Sequence, residues 1–140
     1  MIRQSNLDEP KNSLQLKADW SIINAGGALL NILPGADRLV IPVEKFTNYA
    51  LDPQRQKDKA IAFEKALGYN LDNFEKLIEN IKRNITKFPA IPKPDIGYGQ
   101  RYQVTVVLTG ENGKQAKVLT AWIIDKNAKQ TRLISVYIDK

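Results

Sequence analysis

Asn112-Gly113 stands between two runs of alternating apolar and polar residues, an arrangement that commits this part of the chain to an antiparallel hairpin. Both central residues of a two-residue type I′ turn need positive φ, which Asn and Gly tolerate best. Before the turn, Tyr102, Val104, Val106 and Leu108 alternate with Arg101, Gln103, Thr105 and Val107; after it, Lys114 to Ile124 returns as a second strand. Asp125 to Thr131 reads as a polar turn and Arg132 to Ile138 as a third strand. With Asn112 and Gly113 as the whole loop, Glu111 faces Lys114. That register sets Tyr102, Val104, Val106 and Leu108 beside Ile123, Ala121, Leu119 and Lys117 on a core face. The opposite face then collects Arg101, Gln103, Thr105, Thr120 and Trp122, joined by Ser135 and Tyr137 if Ile134, Val136 and Ile138 point inward.

The sequence before this hairpin has a helical period. Asp52-Pro53 is a helix-start signal, because the aspartate accepts orphan amide protons and proline suits the first helical position. Ala60, Phe63 and Leu67 then form an apolar face that ends at Gly68. A second helix begins near Asn70 to Asp72, where Asp72 and Glu75 have capping-box spacing. Leu71, Phe74, Leu77, Ile78, Ile81 and Ile85 make its stripe, and Glu75, Lys76, Glu79, Asn80, Lys82 and Arg83 take the wet side. Val43 to Tyr49 has room for one or two further helical turns, after an extended Leu39 to Ile41. Phe88 to Asp95 carries three prolines and reads as an irregular joint between the helical half and the sheet. The expected fold is α+β, with N-terminal helices packed on one face of a small antiparallel sheet. Residues 1–36 are read as a flexible or partly helical lead-in, and 37–140 as the α+β domain.

The missing residue types restrict the chemistry. There is no cysteine and no histidine, so thiolate nucleophiles, Ser-His-Asp hydrolases, histidine-based nucleases and the usual zinc ligand sets are excluded. The carboxylates Asp52, Asp58, Asp125 and Asp139 are scattered over turns and ends, and no metal or cofactor is expected. No P-loop pattern is present, so nucleotide hydrolysis has no support. No apolar run reaches the length of a membrane span. A net charge of +6 and a pI near 9.5 favour a polyanionic partner. The open sheet face offers what phosphate work without histidine needs: Arg101 to neutralise charge, Thr105, Thr120 and Ser135 to bind phosphate oxygens, and Trp122 or Tyr137 to stack a base. Tyr98, beside Gly97 and Gly99, enters the first strand through a bend that a ligand can approach.

Ordered blocks of the sequence resemble a known family. They run from Ile41-Pro-Val-Glu-Lys-Phe through Tyr49-Ala-Leu-Asp-Pro, Lys59-Ala and Ala66-Leu-Gly-Tyr to Gly97-Tyr-Gly-Gln-Arg-Tyr. They continue through Leu108-Thr-Gly-Glu-Asn-Gly-Lys, Thr120-Ala-Trp-Ile-Ile-Asp and Arg132-Leu-Ile-Ser-Val-Tyr. The blocks are similar to the C-terminal domains of contact-dependent inhibition and other polymorphic bacterial toxins, of the tRNase type, with a barnase, colicin and RelE-like fold. The resemblance covers about residues 37–140. One departure is Glu111, where hairpins of that family often carry proline. Residues 1–36 find no counterpart and read as the remnant of the region through which a toxin enters its target.

The resemblance implies a ribonuclease exported as the C-terminus of a larger toxin and acting on tRNA in the target-cell cytoplasm. Its partners would be the tRNA and a cognate acidic immunity protein, with room for a host activating factor. The mechanism expected here is transesterification, with Lys59 and Arg101 stabilising charge on the phosphoryl oxygens and Thr120 or Ser135 orienting the phosphate. Tyr137 or Tyr98 would transfer a proton, and Gln103, Thr105 and Trp122 would hold the substrate. Two rival readings share the same residues: a non-catalytic RNA-binding or interaction module, and a nucleotidyl- or ADP-ribosyl-transferring toxin.

Overall fold

The hairpin forms, but its loop is one residue longer than a two-residue turn. In the computed structural model, which describes residues 31–127 and 130–139, Gly110 N donates to Lys114 O at 2.8 Å and Gly113 N to Gly110 O at 3.1 Å. Glu111, Asn112 and Gly113 make the loop, with Gly113 left-handed at φ 82°. The cause lies outside the hairpin. Its tip docks on the end of the first long helix, where Asn112 N donates to Leu67 O at 3.3 Å and Asn112 Nδ2 to Lys65 O at 3.4 Å. Terminal helix carbonyls that have no partner within their own helix are thereby satisfied.

That extra residue shifts the pairing by one. The sheet has four antiparallel strands in sequential order: β1 (Ala90–Lys93), β2 (Gly99–Thr109), β3 (Gln115–Asp125) and β4 (Thr131–Ile138). Tyr102 is opposite Trp122, Val104 opposite Thr120, Val106 opposite Val118 and Leu108 opposite Ala116. A slip of one residue exchanges the two faces of a strand. So Thr120 and Trp122, expected on the open face, are fully buried, while Leu119, Ala121 and Ile123 lie on the outer face with the exposed Lys117. The buried pair is hydrogen-bonded: Trp122 Nε1 donates to Thr120 Oγ1 and that hydroxyl to Val104 O, both at 2.7 Å.

β1 corrects the expectation of an irregular joint. A proline removes one ladder donor, and strands at a sheet edge tolerate the loss; Pro92 sits opposite Tyr102 on the outermost strand. At the other edge Val40 bridges β4 in parallel, accepting from Leu133 N and donating to Thr131 O.

The helices lie on the inner face. A π-helical turn (Phe46–Ala50) precedes α1 (Lys57–Leu67) and α2 (Phe74–Asn84), which continues as one 3-10 turn (Ile85–Lys87). The sheet packs against α1 through β3 and β4, and against α2 through β2. Ala60, Phe63 and Leu67 are buried and Gly68 closes α1 at φ 78°, as the sequence predicts. The helix starts differ. Asp52 accepts from Gln54 N at 2.9 Å in a turn ahead of α1, and Asn73, rather than Asp72, stands before α2. Asn80 is buried rather than wet: its Nδ2 donates to Tyr69 Oη at 2.8 Å and Thr109 O at 2.9 Å, tying α2 to the end of β2. At the other end of the stripe, Leu71 is exposed.

Ile32–Lys140 forms one compact unit. Leu33 is buried in its core and Thr131 Oγ1 donates to Pro34 O, so residues 33–36 pack rather than trail as lead-in. Residues 1–30 of the predicted lead-in lie outside the described residues.

The docked hairpin makes Gly110 irreplaceable. A Cβ there would overlap the backbone of Leu67. Gly110→Ala is expected to cost about 1–3 kcal/mol, the usual penalty of forcing extra volume into a packed contact. The check is a lowered urea midpoint with an unchanged m-value.

Candidate functional site

A cavity of about 130 Å³ opens where the free part of β4 meets the π-helical turn and the start of α1. The turn contributes Lys45 and Tyr49, α1 contributes Lys59 with Gln56 just before it, and β4 contributes Ser135 between Ile134 and Val136. Three local features hold these groups in place. The Asp52 carbonyl accepts from Gln56 N at 2.8 Å, which fixes the approach to α1. Phe46 and Ala50 are buried, which anchors the π-helical turn. A β-bulge lies between Ala121, opposite Ser135, and Trp122, opposite Leu133, leaving Ile134 as the unpaired extra residue. Bulges bend a strand and re-aim its side chains, and here the bend sits at the cavity wall.

Two cations in the cavity rest near aromatic rings. Lys59 Nζ is 5.4 Å from the centroid of the Tyr137 ring, and Lys45 Nζ is 6.0 Å from that of Tyr49. Tyr137 is opposite Leu119 on the outer face while α1 covers the inner one. The Lys59–Tyr137 contact therefore passes around the edge of β4. A cation–π contact orients the ammonium without neutralising it. The cavity thus gathers two ammonium groups with the hydroxyls of Ser135 and Tyr49, and Tyr137 adjoins it. That set suits a small anion such as a phosphate group.

Residues 32–140 match a family described as a domain of unknown function, DUF6883. The chain belongs to this family. Every residue of the cavity lies within the DUF6883 match. No curated protein and no solved structure matches the chain.

Of the residues singled out in the sequence, Lys59, Ser135 and Tyr137 come together in this part of the DUF6883 domain. Gln103 and Thr105 share the outer face with Ser135 and Tyr137, Gln103 in the row of Ala121 and Ser135, and Thr105 in the row of Leu119 and Tyr137. Thr120 and Trp122 are removed from the open face by the register shift. Arg101 is apart as well. Its row holds Ile123 and Arg132, five residues along β4 from Tyr137, or roughly 17 Å at 3.4 Å per residue. Its guanidinium donates from Nε and Nη2 to Pro94 O at 3.2 and 2.9 Å. Tyr98 is at the same end, 72% exposed.

Lys45, Tyr49 and Gln56 were not singled out. Their signal was present: Lys45 and Tyr49 are four apart in a segment with helical character, the spacing that puts side chains on one face. Among the described residues no group of three His, Cys, Asp or Glu is placed to hold a metal ion, and no helix is long and apolar enough to cross a membrane.

Proposed function

We propose that this domain binds RNA and cleaves it by metal-independent transesterification, with the scissile phosphate in the Lys59 cavity. The 2′-hydroxyl attacks the adjacent phosphorus; the 2′-O–P bond forms as the P–O5′ bond breaks, leaving a 2′,3′-cyclic phosphate and a 5′-hydroxyl. Negative charge grows on the non-bridging oxygens in the transition state, where positioned cations act most strongly. Lys59 and Lys45 take that role, and Ser135 donates to a phosphate oxygen. Tyr137, whose ring is 5.4 Å from Lys59 Nζ, takes the role of carrying the proton from the 2′-oxygen to the leaving 5′-oxygen.

The observation that carries this reading is the Lys59 ammonium held 5.4 Å from the Tyr137 ring beside a cavity that also takes Lys45 and Ser135. The net charge of +6 favours a polyanion as substrate. Transfer RNA, delivery as the end of a larger toxin, and an acidic immunity protein come from the resemblance to contact-dependent inhibition tRNases. A second reading, a non-catalytic RNA-binding module, is favoured by the burial of Thr120 and Trp122, which takes two groups out of the reactive set.

Incubating the purified domain with total tRNA in EDTA separates the two. New fragments ending in 2′,3′-cyclic phosphate support cleavage. Retention of intact tRNA without fragments refutes it and leaves the binding module.

A further inference from the structure

Beyond the cavity, the far end of the outer face carries a second group of nucleic-acid-binding character. Lys93 and Arg101 are directly opposite each other on β1 and β2, and the next residues of that row are Ile123 and Arg132. Like charges directly across an antiparallel pair are destabilising. The Asp95 carboxylate near Arg101 offsets part of that repulsion, and Arg132 is paired with Asp125 at 3.2 Å, so Lys93 and Arg101 are the cations of this row left to meet a further anion. Arg101 is held by the neutral carbonyl of Pro94, which fixes its position and leaves its charge in place.

Next to this pair, the β1–β2 connection displays an exposed aromatic ring on a hydrogen-bonded loop. Asp95 Oδ1 accepts from Gly97 N at 2.8 Å and from Gly99 N at 3.3 Å, closing the loop under Tyr98. These amides, that of Gly97 foremost, hold the Asp95 carboxyl below its ordinary value, with the charges of Lys126 and Arg101 adding to the effect. Tyr98 itself is 72% exposed and Ile96 62% exposed. A phenol ring presented to solvent on a pre-ordered loop beside cations is the arrangement on which an unpaired base stacks.

We infer that Tyr98, with Lys93 and Arg101, forms a distal stacking subsite for single-stranded RNA that enters the Lys59 cavity at its other end. This inference rests on the RNA reading of the cavity. Tyr98 adjoins the row of Gly99, and the cavity lies near the row of Gln103, Ala121 and Ser135, four residues further along and two strands across. At 3.4 Å per residue and 4.8 Å per strand the two are about 15–20 Å apart. A stacked strand rising about 3.4 Å per nucleotide needs roughly five nucleotides to join them. Gln103 and Thr105 lie on the face between.

The geometry dictates a dependence on length. The test measures fluorescence anisotropy of labelled non-cleavable 2′-deoxy oligonucleotides, a dinucleotide and an octanucleotide, with wild type, Tyr98→Ala and Tyr98→Phe at low salt. Tyr98→Ala is expected to weaken octanucleotide binding by about five- to 150-fold, the cost of losing one base stack. The loss shrinks toward the dinucleotide, and Tyr98→Phe restores octanucleotide binding because stacking needs the ring and not the hydroxyl. Equal losses at both lengths, or no loss at either, overturn the subsite; in the second case the exposed loop is left to a protein partner. Failure of wild type to bind any oligonucleotide overturns instead the RNA reading on which the subsite rests.

Discussion

Lys59→Ala is expected to lower RNA cleavage by about 10²–10³-fold, the range for removing one group that stabilises a transition-state oxyanion. The unfolding midpoint should barely move. Lys59 is only partly buried, and its contact with the Tyr137 ring is of a kind worth about 0.5–1 kcal/mol near a surface. Loss of activity without loss of fold is what separates a charge acting on the reaction from one that merely covers an edge strand. Lys59→Arg retains the charge on a planar, wider head group, so an intermediate rate is expected. Arg101→Ala is different in kind. On the proposed reading Arg101, at the far end of the sheet, holds the RNA strand, so its loss should appear in KM for long RNA more than in kcat. Cleavage by Lys59→Ala within about threefold of wild type would sink the assignment of the phosphate to this cavity.

The fold class was legible because its signals are local. Ala60, Phe63, Leu67 and Gly68 define a helix and its stop within one short segment, and the alternation around Asn112-Gly113 defines two strands. The register was not legible, for a reason visible in β3 itself. Val118, Thr120 and Trp122 lie on one face and Leu119, Ala121 and Ile123 on the other. Both sets can be buried, so alternation alone does not choose between them. The choice is made by the turn, whose extra residue is fixed by the carbonyls of Leu67 and Lys65, more than 40 positions away in the sequence. Nothing within the hairpin announces that contact.

The candidate site shows the same division. Ser135 and Tyr137 are legible from the strand pattern as polar groups of an open face, and Lys59 enters with the family-like blocks rather than from its helical spacing. Lys45 was missed because its meeting with Ser135 depends on the π-helical turn packing beside β4. The bulge that leaves Ile134 unpaired is also invisible to a period-2 reading. It keeps Leu133 and Val136 both buried although they are three residues apart.

Trp122→Ala should be among the most destabilising single substitutions, at about 3–5 kcal/mol for truncating a fully buried aromatic side chain. Had Trp122 stacked a base from the open face, the same change would have reduced RNA binding and left stability nearly intact, so the measurement decides between the two registers. The polar half of the effect is separable. Trp122 Nε1 has Thr120 Oγ1 as acceptor at 2.7 Å, inside the core. Thr120→Val keeps the shape but leaves the indole N–H without that acceptor, a loss of about 1–3 kcal/mol. Trp122→Phe removes the N–H together with part of the ring. In the double variant the stranded donor no longer exists, so the Thr120→Val penalty should fall when Phe is already present. Chemical denaturation of the four proteins gives that coupling as a double-mutant cycle. Strict additivity would mean that the hydroxyl–indole bond contributes nothing, leaving the bond from the Thr120 hydroxyl to Val104 O as the polar tie on the buried face of β3.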